Sequence, residues 1–209
     1  MIKKKIKKII RIFYFFARMA DDIADNKKLK PSQKLNILNF FDFSISKKKE
    51  GKIDTINTLI LLTKKFPFAE TYSRNLLVAF KLDATKKRYK NWKELIYYCK
   101  YSANPVGRVF IDLSYKEKNK TLKNKDEILR SSDLLCTSLQ IINHIQDCKE
   151  DYQELNRVYI PKSLFYKFSI DVNSLNYKNS SNKFNNLKCE ILDKVEELLY
   201  KSEKGLKLI

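Results

Sequence analysis

Apolar residues recur every three to four positions along most of this chain, as in Ile6, Ile9, Ile10, Phe13, Ala17 and Ala20, and no stretch alternates with the two-residue period of a strand. The spacing predicts helices near residues 3–26, 32–45, 52–65, 69–81, 91–117, 126–151 and 184–203. Breaks between them are marked by Pro31 followed by Ser32 as an N-cap, by the run Lys47 to Gly51, by Pro67, by the charged run Lys116 to Lys125, and by Pro161. The polar stretch 176–186, NYKNSSNKFNN, reads as a surface loop. With no internal repeat and no second composition, residues 1–209 are expected to form a single all-α domain.

Composition narrows the chemistry. The net charge of +19 invites nucleic acid as a partner, but no groove-reading motif accompanies it. Only seven of the 43 basic residues are Arg, and the lysines arrive with abundant Asn and Ile. No nucleic-acid partner is expected; the charge points to an anionic substrate and to peripheral attraction by an anionic membrane surface. The greasiest run, Ile9 to Phe16, is interrupted by Arg11 and falls short of the roughly 20 apolar residues that a bilayer span needs. The opening also lacks the clean apolar core of a secretory signal, so a cytoplasmic location is expected. Gly51, Gly107 and Gly205 are too scattered for a glycine-rich phosphate loop. The single His144 and the dispersed Cys99, Cys136, Cys148 and Cys189 do not compose a zinc set or a disulfide framework. Phosphate binding here would have to rely on metal ions and basic side chains.

Four constellations fit that description. The first is Arg18, Asp21, Asp22 and Asp25 in ARMADDIADN. On a helix Asp21 and Asp25 lie within about 40° of each other, and the apolar residues before them make a purely solvated acidic end a poor explanation. The second is Gln140, Asn143, Asp147 and Asp151 in SLQIINHIQDCKED, which on one continuous helix share a stripe about 80° wide. Leu134, Leu135, Leu139, Ile141, Ile142 and Ile145 occupy much of the remaining circumference, so the stripe reads as the wall of an internal polar cavity. Oxygen-only donors on two helices suit Mg²⁺. The third is YYCKYSANPVGR, residues 97–108, where Pro105 should kink the helix and Ser102, Ala103 and Gly107 allow close approach to the backbone. The fourth is Arg157, Tyr159 and Pro161 in NRVYIP, a short mobile segment placed to close over a diphosphate.

In this order and at these separations the four blocks resemble the squalene/phytoene synthase family, a head-to-head branch of the isoprenoid synthase fold. The strings ADDIADNKKLKPSQKL, LLVAFKLDATKKRY, YCKYSANPVGR and LCTSLQIINHIQDCKEDYQELNRVYIP are similar to its bacterial hopanoid-pathway branch, whose members convert presqualene diphosphate to hydroxysqualene. The resemblance covers residues 8 to 205. It implies that Asp21, Asp22, Asp25, Asp147 and Asp151 hold Mg²⁺, and that Arg18, Gln140, Asn143, Arg157 and Tyr159 contact an isoprenoid diphosphate. It also implies that Tyr101 stands near the reacting carbocation and that Arg18 assists departure of the diphosphate. Two aspartate-bearing helices facing each other across a shared cleft are expected on the same ground, in a bundle lacking a helix before and two or more after the segments seen here. Gln146 stands where many squalene and phytoene synthases have a basic residue, which favours the hydroxysqualene branch over condensation of two prenyl diphosphates. A noncatalytic assembly factor, the remaining alternative, is expected to have lost the aspartates.

Overall fold

The computed structural model describes residues 4–117, 123–177 and 179–208. They form ten α-helices and a short 3-10 helix, with no strand among them. By contact density the chain divides into two units, residues 1–85 with 105–125, and residues 86–104 with 126–209.

The first unit contains α1 (Lys4–Asp25), α2 (Pro31–Lys47), α3 (Asp54–Lys65), α4 (Pro67–Thr85) and most of α6 (Asn104–Glu117). α1 buries Ile9, Phe13, Phe16, Ala20 and Ala24, one residue per turn, in a cluster with Leu38, Phe41 and Ile45 of α2, Leu59 and Ile60 of α3, and Leu76, Leu77 and Phe80 of α4. Each large side chain removed from water here contributes about 1.5–3 kcal/mol before chain entropy is counted. Pro31 opens α2, where its missing N–H is no loss, and α2 ends at Lys48 with φ 52°, a left-handed cap. Polar ties supplement the core: Asp42 of α2 accepts from Arg74 Nε at 2.7 Å and from Lys81 Nζ at 2.9 Å on α4. Tyr72 of α4 donates its hydroxyl to the buried Asp112 of α6 at 2.7 Å, and Lys125 Nζ lies 2.8 Å from the same carboxylate.

The second unit holds α5 (Trp92–Ser102), α7 (Lys125–Gln146, from Asp126 onward), α8 (Cys148–Leu155), α9 (Lys162–Lys167), the 3-10 helix Val172–Asn176 and α10 (Asn182–Leu206). The helix expected over 91–117 is two helices. The break falls at Ala103, and Pro105 sits in the first turn of α6, where its missing N–H is tolerated. Asn104 Oδ1 accepts from Thr137 Oγ1 of α7 at 2.9 Å, which anchors the break. The helix expected over 126–151 is likewise interrupted, at Asp147. α9 and the 3-10 helix, six and five residues long, were too short to show a period in the sequence.

Leu129 is the one leucine of α7 that is buried, and most of the other buried residues are small and polar. Ser131, Ser132, Thr137, Ser138 and His144 are buried with Ile128, Leu129 and Ile141, whereas Leu139 is 52% exposed. Small hydroxyl residues let a neighbouring backbone come close, and α10 does so: Gly205 N–H donates to Ser131 Oγ at 3.2 Å. A Cβ at Gly205 would stand 2.3 Å from that oxygen and 2.7 Å from the Glu127 carbonyl oxygen. Ser181 caps the other end of α10 by accepting from Phe184 N–H at 3.1 Å. Gly205→Ala is therefore expected to lower unfolding free energy by about 1–3 kcal/mol through overpacking, despite the better helix propensity of Ala, as measured by denaturant titration.

Candidate active site

The last two turns of α1 carry the whole first constellation. Asp21 is half-buried, and its carboxyl is pushed up to about 6, first by burial and then by the charges of Asp25 and Asp83, with Arg18 opposing. Asp83 was not among the residues singled out in the sequence. It lies on α4 and is 2% exposed, at a position where the spacing from Leu76 and Phe80 calls for a core residue. That signal, a carboxylate in apolar register within LLVAFKLDA, was available. Lys34, also overlooked, is buried and donates from Nζ to the Ala24 carbonyl oxygen at 2.7 Å, which caps the C-terminus of α1 beside Asp25.

Arg18 does not side with Asp21 alone. Its guanidinium lies 3.1 Å from Asp22 and 3.6 Å from Asp21, and it is largely exposed. Arg18 and Asp22 line a groove of about 510 Å³ with Phe15 and Met19 of α1 and Asp54 and Thr58 of α3. Asp21 does not line that groove, and it feels the charges of Asp25 and Asp83 as well as those of Arg18 and Asp22.

In the second unit, Asp147 is the N-cap of α8, with φ −92° and ψ 3°. Its N–H donates to the Asn143 carbonyl at 2.8 Å, and Asp151 N–H donates to the Asp147 carbonyl at 2.8 Å, so helical bonding runs through the bend. Asn143 and Asp147 are exposed, and Gln140 and Asp151 are half-buried. Tyr101 packs edge-on to Tyr97 with ring centroids 5.1 Å apart. Its hydrogen bond to Tyr97 raises the Tyr97 hydroxyl above its ordinary value.

Arg157 and Tyr159 do not lie on a loose flap. They are 3% and 5% exposed. Val158 N–H donates to the Lys87 carbonyl at 3.0 Å and Lys162 N–H to the Tyr89 carbonyl at 2.8 Å, which pins 156–163 against 87–90. Arg88 adds a fork onto Asn156, contacting its backbone carbonyl and, at 2.7 Å, its Oδ1. Inside, Tyr159 stacks on His144 at 3.6 Å between centroids, exchanges a 3.2 Å hydroxyl contact with Tyr98, and accepts from Arg157 Nη1 at 3.2 Å. Gln140 Nε2 lies 3.2 Å from His144 Nε2. Burial, and secondarily the Arg157 charge, lower the His144 imidazole to about 3, so it is neutral at physiological pH. Sequence reading found Gln140, Arg157 and Tyr159 but not the ring that joins them. A separate depression of about 390 Å³, lined in part by Lys149, Lys183, Lys188 and Cys148, includes none of the expected site residues.

Among the described residues no three His, Cys, Asp or Glu side chains gather closely enough to enclose a metal ion. Mg²⁺ commonly takes only one or two carboxylates and completes its shell with waters and substrate phosphate. The raised proton affinity of Asp21, with oxygen as the donor throughout, fits such an ion. No helix among the described residues is long and apolar enough to cross a membrane.

Comparison with known proteins places these observations. The family model described as Squalene/phytoene synthase matches residues 2–209. The chain is 38% identical over 181 residues to a hydroxysqualene synthase of Sinorhizobium fredii, covering 87% of this chain and 59% of that protein. It is 36% identical to a hydroxysqualene synthase of Rhodopseudomonas palustris, with the same coverage. The chain thus spans about three-fifths of the length of these curated relatives. The crystal structure of a dehydrosqualene synthase in complex with ligand superposes with a TM-score of 0.82 at 24% identity, over 99% of this chain and 70% of that one. The fold is accordingly the all-α isoprenoid synthase fold.

Two outcomes are expected from these electrostatics. Asp21 has a folded-state pKa above its unfolded value, so its ionisation weakens the fold as pH rises through about 6. Asp21→Asn should raise stability at pH 7 by about 1 kcal/mol after allowance for solvent screening, with the gain shrinking toward pH 5, read from thermal melts in chelator-treated buffer. His144 has the opposite sign: its folded-state pKa is depressed, so the unfolded chain takes up the proton first and stability falls as pH drops below about 6.5. Replacing His144 with Leu should remove up to about 1.4 kcal/mol per pH unit from the acid-side slope between pH 6 and 4, measured by urea titration.

Proposed function

We infer that this chain, a member of the squalene/phytoene synthase family, is an Mg²⁺-dependent enzyme that converts presqualene diphosphate to hydroxysqualene with loss of diphosphate. What carries the choice of reaction is the identity of more than a third to two relatives named hydroxysqualene synthase. Gln146, non-basic before Asp147, favours the same branch over two-substrate condensation. The reaction balances without a redox partner: the bond from carbon to the diphosphate oxygen breaks, water forms the new C–O bond, and its proton ends on the departing diphosphate. No oxidant or reductant is called for.

In this reading Asp21, Asp22, Asp25, Asp147 and Asp151 are the groups that would hold Mg²⁺. The metal supplies charge neutralisation for the leaving diphosphate. Asp83, too buried to be an open ligand, deepens the negative field at Asp21 and so strengthens its demand for a cation. Arg18 is exposed, and exchanging its carboxylate partners for diphosphate oxygens requires only side-chain rotation. The aromatic ring of Tyr101 offers a π-face to positive charge. Gln140 and Asn143 supply neutral polar contacts that orient substrate without quenching a cation. Arg157 and Tyr159, held in a buried network, act on the diphosphate end through a preset arrangement. The positive net charge supports peripheral attraction to the anionic membranes in which such an apolar product dissolves.

The purified chain with Mg²⁺ and labelled presqualene diphosphate is expected to release diphosphate and form hydroxysqualene. Asp21→Ala and Asp147→Ala should each reduce turnover at least about a thousandfold with helicity intact by circular dichroism. Full activity in both variants would remove the assignment. Consumption of farnesyl diphosphate alone to a C30 product would move the chain to the condensing enzymes, and turnover of neither substrate would mark a noncatalytic relative.

A further inference from the structure

His144 is a buried titratable group in the second unit's polar network to which the proposed reaction assigns no role. It lies on α7 one turn beyond Gln140, and the contact between them joins two nitrogens, Gln140 Nε2 and His144 Nε2, at 3.2 Å. The amide –NH₂ of glutamine only donates. The ring nitrogen facing it must therefore accept, which requires a neutral imidazole with its proton on Nδ1. An imidazolium, or the Nε2–H tautomer, would set donor against donor.

The surroundings enforce this state. His144 is 8% exposed, stacked against Tyr159 with an interplanar angle of 16°, and flanked by Tyr98 at 5.6 Å between centroids. The Arg157 guanidinium, itself buried, donates to the Tyr159 hydroxyl and disfavours a second positive charge nearby. The ring is thus packed against both neighbours and disfavoured from taking a charge. With one amide N–H engaged inward, Gln140 keeps its oxygen, turned away from the ring, and its second N–H for other partners.

We propose that His144 is a positioning residue: as a neutral acceptor clamped on Tyr159 it fixes the Gln140 amide with Oε1 outward, making Gln140 an acceptor for a hydroxylic ligand, water in the proposed reaction. An outward amide oxygen holds a water by one of its hydrogens and leaves the water's lone pairs directed away, toward an electrophile. A flipped amide would present N–H groups, which hold water by the lone pairs that must form the new C–O bond. The clamp thereby favours capture by water over loss of a proton to an alkene. Its kinetic consequences rest on the function proposed above; its structural claim does not.

That separation sets the experiment. His144 is the chain's only histidine, so nitrogen-15 histidine labelling of the full chain gives ring signals that need no assignment among residues. At about pH 6 to 8, Nδ1 should carry the proton and Nε2 should appear as the unprotonated acceptor. A proton on Nε2, or an imidazolium at pH 6, would overturn the proposal whatever the chain catalyses. Two variants then test its use with presqualene diphosphate. His144→Phe keeps a ring on Tyr159 and removes the acceptor, while His144→Gln restores an acceptor oxygen near the position of Nε2. The Phe variant should lose kcat about tenfold with KM within about twofold, and should shift product from alcohol toward alkene. The Gln variant should recover at least half of the wild-type alcohol fraction. Unchanged partition in the Phe variant, or equal loss in both, would leave His144 a packing residue and sink the idea.

Discussion

Carboxylates crowded at one end of a helix are the constraint on which the first unit turns. Asp21 sits beside Asp25 and within the field of the buried Asp83, and its proton affinity rises by burial and repulsion together. A fold optimised for stability alone would not place charge there. α1 tolerates it because the same turns bury Ala20 and Ala24 completely, and because Lys34 satisfies the carbonyl end of the helix from within the core. The hydrophobic stripe of α1 thus serves as an anchor for an electrostatically unfavourable tip. Perturbed titration concentrated in one place, with a structural cause, is the pattern expected of a functional site.

The second unit solves a different problem, that of holding polar side chains inside protein with little freedom. Its tools are aromatic rings and hydroxyls. Tyr89, Tyr98, His144 and Tyr159 stack and tilt against one another at centroid separations of 3.6 to 5.6 Å, and the hydroxyls of Tyr98 and Tyr159 meet in the middle. Such a cluster leaves few alternative rotamers, so a half-buried amide attached to it is more sharply oriented than one on an open helix face. The pairing of 87–90 with 156–163 fastens this cluster from outside.

Helix existence was plainly legible in the sequence. The 3.6-residue period of Ile9, Phe13, Phe16, Ala20 and Ala24 is carried by side chains that are buried in fact, and Pro31 and Pro67 stand at the first residues of α2 and α4. What period analysis missed was register and interruption. One residue at Ala103 and one at Asp147 break what the pattern showed as continuous, because single-residue bends leave the spacing of apolar positions almost unchanged. α7 departed further: the stripe read as a cavity wall has Asn143 and Asp147 exposed, while Ser131, Thr137 and Ser138 are buried, since close helix packing selects small residues as well as greasy ones. The aspartate motifs stood out in the sequence by composition and spacing. Asp83 and His144 did not, because a lone titratable residue in apolar register looks like noise until its neighbours in space are known.

The order of the chain through its two units has a consequence for how the molecule is made. The second unit takes residues 86–104 from the middle of the sequence and the rest from 126 onward, with residues 105–125 belonging to the first. During synthesis Tyr89 and Tyr98 therefore emerge long before His144 and Tyr159, the rings they will pack against. For the time needed to add some sixty residues, roughly 3–12 seconds at ribosomal rates of roughly 5–20 residues per second, half of an aromatic cluster waits without its other half. The long-range closure of 87–90 onto 156–163 then comes late and at the expense of a large loop. A nascent chain of this protein is most vulnerable to wrong partners in that interval, and the tyrosines that later order its interior are the surface it exposes.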